Sequence, residues 1–338
     1  MNEELAPPGF ASGRLIRLIR ERIAEMRLDL RGVEVLTEAA TGAYTVTPVI
    51  AALAGAHVVA VSKDSRYGTF QDVVRSTMAL ADLAGVADRV ALFSERTPEQ
   101  FARADLVTNS GHLRPIIGEF AEAIRPGSAL SLMFETWEIQ AGRVDVDLEG
   151  IIDRGVRVAG TNERHPHVDV FSYLGPMAVA QLNDAGLPAY SQRIGVLCDN
   201  PFARYIERGL TATGALVVVG RSVADLPLPD LDAVVVAMTP TGSSVLSPAA
   251  LRSLAAARPD IVLMQYWGDI DRRQAALNDI RVWPPTAPAP GHMGVLPSRV
   301  GPDAIVRLQA GGLKVGELLL RESVSLTKED QEYLDELR

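Results

Sequence analysis

Apolar and polar positions follow two patterns along the chain. Unbroken apolar runs of about five to eight residues alternate with longer stretches in which apolar residues recur every three or four positions. Runs of the first kind predict strands buried on both faces, and stretches of the second kind predict amphipathic helices. Their alternation is typical of a parallel sheet with helices on both faces. The pattern therefore predicts an α/β protein.

The first half shows this alternation clearly. The predicted strands are VEVLTEAA (33–40), HVVAVSKD (57–64), RVALF, ADLVTNS (104–110) and SALSLMF (128–134). The predicted helices are GRLIRLIRERIAEMRLDL (13–30), PVIAALAGA (48–56) and FQDVVRSTMALADLAGV (70–86). We expect these segments to form one doubly wound, Rossmann-like sheet.

The second half repeats the alternation. Further strands are predicted at 156–163, 193–199, 215–220, 232–238 and 260–267, with helices at VDVFSYLGPMAVAQLNDAG, ARYIERGLTATG and SPAALRSLAAAR. The stretch WPPTAPAPGHMGVLP (283–297) predicts a loop, because proline removes backbone donors. The C-terminal region has helical periodicity, and its last residues, TKEDQEYLDELR, predict an acidic, solvated end.

The length of 338 residues favours two domains over one. We expect an N-terminal Rossmann-like domain at 1–160, with the C-terminal helix at 300–338 packing back on it. A second Rossmann-like domain is expected at 161–299. The predicted fold class is thus two tandem, doubly wound parallel sheets with an interdomain cleft, which is where a small-molecule site is expected.

Composition and charge narrow the classes of partner. Hydrophobic residues make up 47% and charged residues 22% of the chain, a balance typical of globular proteins. The net charge of -9 argues against nucleic-acid and membrane partners, since both need clustered cations. A small-molecule substrate and a homodimer are expected. The single Cys198 and the absence of signal-peptide features in MNEELAPPGF predict a cytoplasmic protein.

Candidate nucleotide contacts follow the first strand. Thr41, Gly42 and Tyr44 lie where a parallel sheet presents backbone N–H groups and a helix N-terminus. Gly42 permits a tight turn, but the second and third glycines of a dinucleotide turn are missing. Helix capping is the alternative explanation for the hydroxyl groups of this turn.

A second set of candidates follows the next strand. Asp64 occupies the position from which an acid commonly binds a ribose hydroxyl, and Lys63 and Arg66 suit an added phosphate. Ordinary surface charge at the sheet edge explains these residues equally well.

The second half has a comparable turn at LCDNPFARYIERG. Asp199 and Asn200 can shape a tight loop, and Pro201 suits the first position of a helix. Because the turn lacks glycine, a pyrophosphate bound there would lie farther from the backbone than usual. Asp199 and Asn200 are nevertheless candidate cofactor contacts.

Histidine is the natural candidate for proton transfer near neutral pH. His292 lies in PAPGHMG, where neighbouring glycines permit close approach to a ligand. His165 and His167 flank Pro166, where the chain passes from one half to the other. The alternatives are that the pair belongs to the surface of a hinge and that His292 caps a loop. No metal site is expected.

From about residue 145 to 315 the chain resembles the D-2-hydroxyacid dehydrogenases and, more loosely, the S-adenosylhomocysteine hydrolase group. The segments that carry this resemblance are VDLEGIIDRGVRVAGTNE, RIGVLCDNPFARYIERGLTATGALVVV, DAVVVAMTPTGSSVLSPAALRSL and PAPGHMG. The resemblance implies an acid–base role for His292 and a dinucleotide turn at Asp199 and Asn200. It also implies that Thr239 and Pro240 pass beneath a nicotinamide.

The first half is similar, in the order of its segments, to class I S-adenosylmethionine-dependent methyltransferases. VEVLTEAATG, HVVAVSKDS, LAGVADRVALF, ADLVTNS and RPGSALSLMF carry this second resemblance. It implies that Asp64 binds the ribose of S-adenosylmethionine.

The function expected from these observations is that of an oxidoreductase linked to NAD or NADP and acting on a small hydroxy or keto acid. His292 would donate or accept the proton, with His165 as a further candidate, and Asn162 would orient the carbonyl group. Two alternatives stay open: a methyltransferase that uses S-adenosylmethionine in the first half, and a dehydrogenase-like scaffold that binds a ligand without turning it over.

Overall fold

The computed structural model describes residues 7–65, 67–140, 145–322 and 325–337. These residues divide into two compact units. Unit 1 contains the chain up to Val170 together with the residues from Gly301 onward, and unit 2 is Phe171–Val300. Each unit contains one open, mainly parallel sheet, so the prediction of two Rossmann-like α/β sheets is confirmed.

The sheet of unit 1 has seven strands among the described residues. They are β1 (Glu34–Glu38), β2 (His57–Val61), β3 (Val90–Phe93), β4 (Leu106–Asn109), β5 (Ala129–Leu132), β6 (Arg157–Thr161) and β12 (Leu334–Asp335). Their spatial order is β12-β6-β5-β4-β1-β2-β3, with only β12 antiparallel to its neighbour. Read from β3, this is the 3-2-1-4-5-6 order of dinucleotide-binding sheets, which reverses between β1 and β4.

Helices cover both faces of this sheet. They are α1 (Ser12–Met26), α2 (Val46–Leu53), α3 (Phe70–Ala84), α4 (Pro98–Arg103), α5 (Glu119–Ala123), α6 (Trp137–Gln140), α7 (Leu148–Asp153), α12 (Asp303–Leu320) and α13 (Lys328–Tyr333). The apolar residues of α1, α2, α3 and α12 form the core on one face, and those of α4, α5 and α7 contribute to the core on the other. This arrangement explains why the strands are mainly apolar on both faces.

The prediction of an acidic, solvated end agrees with most of α13, which is exposed, but it is wrong for Tyr333 and β12. Leu334 and Asp335 pair with Thr161 and Gly160 of β6, and the side chain of Tyr333 is buried. The edge of β6 offers unpaired backbone groups, and a short strand satisfies them. Two residues are too few for a strand to show in the hydrophobic pattern.

Unit 2 has five parallel strands in the order β11-β10-β9-β7-β8. They are β7 (Arg193–Leu197), β8 (Leu216–Gly220), β9 (Ala233–Ala237), β10 (Val262–Trp267) and β11 (Arg281–Trp283). The helices are α8 (Leu174–Asp184), α9 (Ala203–Ala212), α10 (Pro248–Ala257) and α11 (Arg272–Leu277). The strand order reverses between β7 and β9, which places the expected ligand crevice of this unit at their carboxyl ends.

The loop predicted in the proline-rich stretch is present: residues 284–296 contain no helix or strand. Among the described residues, no helix is both long and apolar enough to cross a membrane.

Candidate functional site

The predicted residues of unit 2 come together at the carboxyl ends of β7 and β9. Asp199 Oδ1 accepts hydrogen bonds from the backbone N–H of Thr239 at 2.8 Å and from its hydroxyl at 3.0 Å. Asn200 Nδ2 donates to the carbonyl oxygen of Ala237 at 2.8 Å, while its Oδ1 accepts from the N–H of Phe202 at 3.0 Å. These two side chains therefore tie the turn after β7 to the end of β9.

The loop that carries His292 is held at the same edge of the sheet. Gly291 accepts a hydrogen bond from Trp267 Nε1 at 3.1 Å, and its N–H donates to the carboxylate of Asp269 at 3.1 Å. A Cβ atom at Gly291 would lie 4.0 Å from Pro240. The structure thus brings His292, whose side chain is exposed, to the strand ends that also carry Pro240.

A cavity of about 560 Å³ opens between the carboxyl ends of β7 and β8. Its lining residues are Cys198, Asp199, Asn200, Pro201, Ala203, Val219, Gly220, Arg221 and Asp225. Arg221, which follows β8 directly, is exposed. Asp225 Oδ2 accepts hydrogen bonds from the N–H groups of Arg221 at 3.0 Å and Ser222 at 2.8 Å. Hydrogen bonds from Ser222 and Arg221 lower the pKa of Asp225, and those from Ser222 have the largest effect.

The equivalent place in unit 1 is filled by the chain itself. The hydroxyl of Thr41 donates to the carbonyl oxygen of Tyr67 at 3.3 Å, and a Cβ atom at Gly68 would lie 2.8 Å from Thr41 Cγ2. Asp64 Oδ1 accepts the N–H of Phe70 at 2.8 Å, at the start of α3. The acid predicted to bind a ribose therefore holds a helix N-terminus. Arg66 lies outside the described residues.

Gly42 and Tyr44 belong to the turn between β1 and α2. Gly42 has a φ of 67°, the left-handed conformation that the tight turn requires. Tyr44 is partly buried, and burial, together with the nearby charge of Glu38, raises its pKa to about 12. Its hydroxyl is consequently neutral at physiological pH.

His165 and Asn162 contact the C-terminal segment. The ring of His165 stacks on Tyr333 with 3.7 Å between centroids, and its Nδ1 accepts the N–H of His167 at 3.2 Å. Asn162 Nδ2 donates to the carbonyl oxygen of Glu332 at 2.8 Å. Burial lowers the pKa of His165, which favours its neutral form. No group of three or more His, Cys, Asp or Glu side chains within the described ranges is arranged to hold a metal ion.

Two residues that the sequence analysis missed lie at the strand-order reversal of unit 1. Leu36 of β1 pairs with Val107 of β4, so Glu38 and Asn109 end the two strands side by side on one face. Glu38 is buried, and its Oε2 accepts the N–H of His112 at 3.3 Å. Burial raises its pKa, although the charge of Arg114 opposes this shift.

Asn109 has a relative exposure of 1%, and within the described part of the chain neither Nδ2 nor Oδ1 has a hydrogen-bond partner. The signal that could have found Glu38 is its place in VEVLTE, where it shares a face with the core residue Leu36. A carboxyl group there must be buried, and buried carboxyl groups concentrate at functional sites.

Further acidic residues follow β5 and β6 of the same sheet. Glu135 is buried, and its Oε1 accepts from Arg164 Nε at 2.9 Å. Burial raises the pKa of Glu138 and of Glu163, and the charge of Glu135 raises both further. The carboxyl edge of the sheet in unit 1 therefore holds several carboxyl groups whose pKa values are raised.

Comparisons with known proteins identify relatives by structure alone. No family model matches the sequence, and neither does any curated protein. A dipicolinate synthase protein from Bacillus halodurans is 14% identical, with a TM-score of 0.53 over 87% of this chain and 99% of that one. A dipicolinate synthase protein from Bacillus subtilis is 13% identical, with a TM-score of 0.52 over 87% of this chain and 97% of that one.

This chain shares the fold of these proteins. The likeness is one of fold, and it agrees with the prediction of two Rossmann-like halves. At 14% identity, the roles of individual residues do not follow from the likeness.

Proposed function

We propose that the protein is an oxidoreductase linked to NAD or NADP that acts on a small hydroxy or keto acid, with the dinucleotide bound by unit 2. The observation that carries this proposal is the open cavity beside Arg221, at the carboxyl ends of β7 and β8. Ligands of open α/β sheets bind outside the carboxyl ends of the strands, close to the reversal in strand order. The shared fold is consistent with this placement.

The contrast between the two units supports unit 2 as the nucleotide site. In unit 1, Thr41 contacts Tyr67 and Gly68, and Asp64 holds the start of α3. In unit 2, a cavity of about 560 Å³ remains at the corresponding strand ends, a size within the range of small-molecule sites. A nucleotide bound at the second place would leave these contacts of unit 1 unchanged.

The residues of the cavity fit the phosphorylated form of the cofactor. An arginine after the second strand of such a fold accommodates a 2′-phosphate, whereas an acid there binds the free ribose hydroxyl. Arg221 occupies this position, and its exposed guanidinium suits a phosphate. We therefore propose NADP as the preferred cofactor. When bound, it would supply the hydride chemistry that amino acid side chains lack.

His292 is the proposed proton donor and acceptor. Its loop is fixed to the ends of β9 and β10 through Gly291, so the imidazole is exposed at the edge that also carries Asp199 and Thr239. Imidazole groups exchange protons near neutral pH, as the reduction of a keto acid requires.

The test is a thermal-shift and calorimetric titration of the whole chain with NADPH, NADH and S-adenosylmethionine. We expect NADPH to bind most tightly. Arg221→Ala should weaken NADPH binding by about tenfold or more, because a charge-assisted hydrogen bond contributes about 1.5–3 kcal/mol. The same variant should change NADH binding little. Reduction of 2-keto acids by NADPH should be lost in His292→Ala, with NADPH binding retained.

Arg252→Ala removes an exposed arginine of α10 and is the matched control for charge. Equal binding of NADPH and NADH, or an Arg221→Ala variant that binds NADPH normally, would contradict the preference for NADP. Stabilisation by S-adenosylmethionine with no effect of either dinucleotide would favour a methyltransferase. If none of the three compounds stabilised the protein, the remaining interpretation would be a dehydrogenase-like scaffold that binds another ligand.

A further inference from the structure

We propose that unit 1 contains a second binding site, specific for a primary organic ammonium group, formed by Asn109, Glu38 and the carboxyl groups around them. All of these residues belong to unit 1, whereas the nucleotide cavity belongs to unit 2.

The charges at this edge favour a cation. Arg114 interacts electrostatically with both Glu38 and Glu138. Glu138 and Glu163 in turn interact with the carboxyl groups of Glu135, Asp145 and Asp335 and with the guanidinium group of Arg164. Arg164 pairs with Glu135 at 2.9 Å, and Arg114 pairs with Asp145 at 3.1 Å. Carboxyl groups still exceed guanidinium groups in this set, so a bound cation stabilises their ionised forms.

The side chain of Asn109 is the second, independent observation. It is buried with both polar atoms unpartnered among the described residues, and it lies beside Glu38 on the same face of the sheet. Leaving a buried amide without partners is unfavourable, and a bound ligand that satisfies the group is one explanation for it. The hydroxyl of Ser62, after the neighbouring strand β2, is also buried and without a partner in the described part of the chain.

The position of Glu38 depends on the local backbone. Gly111 has a φ of 31°, and a Cβ atom there would overlap the Glu38 carboxyl group. The glycine thus allows the carboxyl group to pack directly on the turn after β4, where the N–H of His112 holds it. This arrangement fixes an acceptor next to the unpartnered amide of Asn109.

The chemistry of these groups selects a ligand with several N–H donors. Asn109 Oδ1 and the carboxylate oxygens accept hydrogen bonds, and a primary ammonium group has three donors and a positive charge. A metal ion is less suited, because no three His, Cys, Asp or Glu side chains among the described residues are arranged to hold one. A quaternary ammonium group has the charge but lacks the donors.

The experiment is a titration of the full chain with ethylammonium chloride and 1,4-diaminobutane dihydrochloride at pH 8.5. Binding is measured by thermal shift and by calorimetry. Tetramethylammonium chloride and magnesium chloride at equal ionic strength are the comparison arms. We expect the two primary amines to stabilise the protein more than either comparison salt. Their affinity should fall at least tenfold from pH 8.5 to pH 5.5, because protons compete for the carboxylates.

Glu38→Gln and Asn109→Leu should each weaken binding of the primary amines at least tenfold, whereas Glu149→Gln, at an exposed position of α7, should not. Asn109→Leu should leave the Tm of the ligand-free protein unchanged or higher, because it removes two unpartnered buried atoms. The Tm of the ligand-free Asn109→Leu variant therefore distinguishes loss of binding from loss of folding. The proposal would be overturned if the primary amines gave no more stabilisation than the comparison salts, or if both variants bound the amines as tightly as the wild type does. A response to magnesium alone that depends on Glu38 would also overturn it.

Discussion

At the scale of single residues, Glu38 combines a carboxyl group with a buried position. Burial raises its pKa, so the folded protein holds this proton to a higher pH than the unfolded chain does. Linkage then requires stability to fall as pH rises from the unfolded value of about 4.3 toward the higher folded pKa. The group therefore destabilises the protein at neutral pH, a cost consistent with a binding role.

Glu38→Gln should accordingly raise the stability of the ligand-free protein, and the gain should increase as the pH rises above the unfolded pKa of about 4.3. The glutamine carbonyl can still accept the N–H of His112. Chemical denaturation of the wild type and the variant at several pH values measures the effect. The exposed Glu149→Gln provides the baseline. A gain that stays constant with pH would show that Glu38 is ionised in the folded state throughout.

At the scale of elements, α8 and α9 pack through a pair of glycines. A Cβ atom at Gly175 would lie 2.6 Å from the Cα of Gly209 and 2.7 Å from the carbonyl oxygen of Tyr205. The two helix backbones are therefore in direct contact, and side chains of any size would separate them. Because α9 starts after the turn that carries Asp199 and Asn200, this contact also fixes the position of that turn.

Gly209→Ala should destabilise the protein by about 1–3 kcal/mol, the usual cost of overpacking in a close contact. Gly13→Ala is the matched control, because a Cβ atom there meets nothing within 4 Å in α1. This control should be neutral or more stable by about 0.5–1 kcal/mol, since alanine favours helix. Urea denaturation compares the two variants, and equal stability would show that α8 and α9 can separate without cost.

At the scale of the whole molecule, unit 1 is completed by residues from both ends of the chain. The helix α12 belongs to the core of unit 1, and β12 extends its sheet beyond β6. Tyr333 holds the C-terminal segment against the rest of unit 1. Its ring stacks on His165, and its hydroxyl lies 2.6 Å from His167 Nδ1. The C-terminal residues thus stabilise the strand that ends at Thr161.

Tyr333→Ala should open the edge of unit 1, because the loss of a large buried aromatic ring costs about 3–5 kcal/mol. Hydrogen exchange measured by mass spectrometry should become at least about a hundredfold faster in β6 while β9 of unit 2 is unchanged. Tyr190→Ala, which removes a tyrosine that is 73% exposed, is the control. Equal exchange in β6 before and after Tyr333→Ala would show that the C-terminal segment contributes no stability there.

The alternation of apolar runs and amphipathic stretches determined the fold class and most elements. Strands such as β1 and β9 are buried on both faces, so their apolar runs identify them without knowledge of their neighbours. The loop after β11 could be predicted for the same kind of reason, because proline acts on its own backbone. Apolar runs and proline positions are local features, so they can be recognised from a single sequence.

Only the tertiary structure decided which polar residues meet. The pairing of β1 with β4 places Glu38 beside Asn109, although 70 positions separate them in the sequence, and the register between the strands decides this. Likewise, Asp64 proved to hold the start of α3, and the open cavity beside Arg221 depends on the spacing of β7 and β8. Burial and hydrogen-bond partners come from distant parts of the chain, and local patterns carry no information about them.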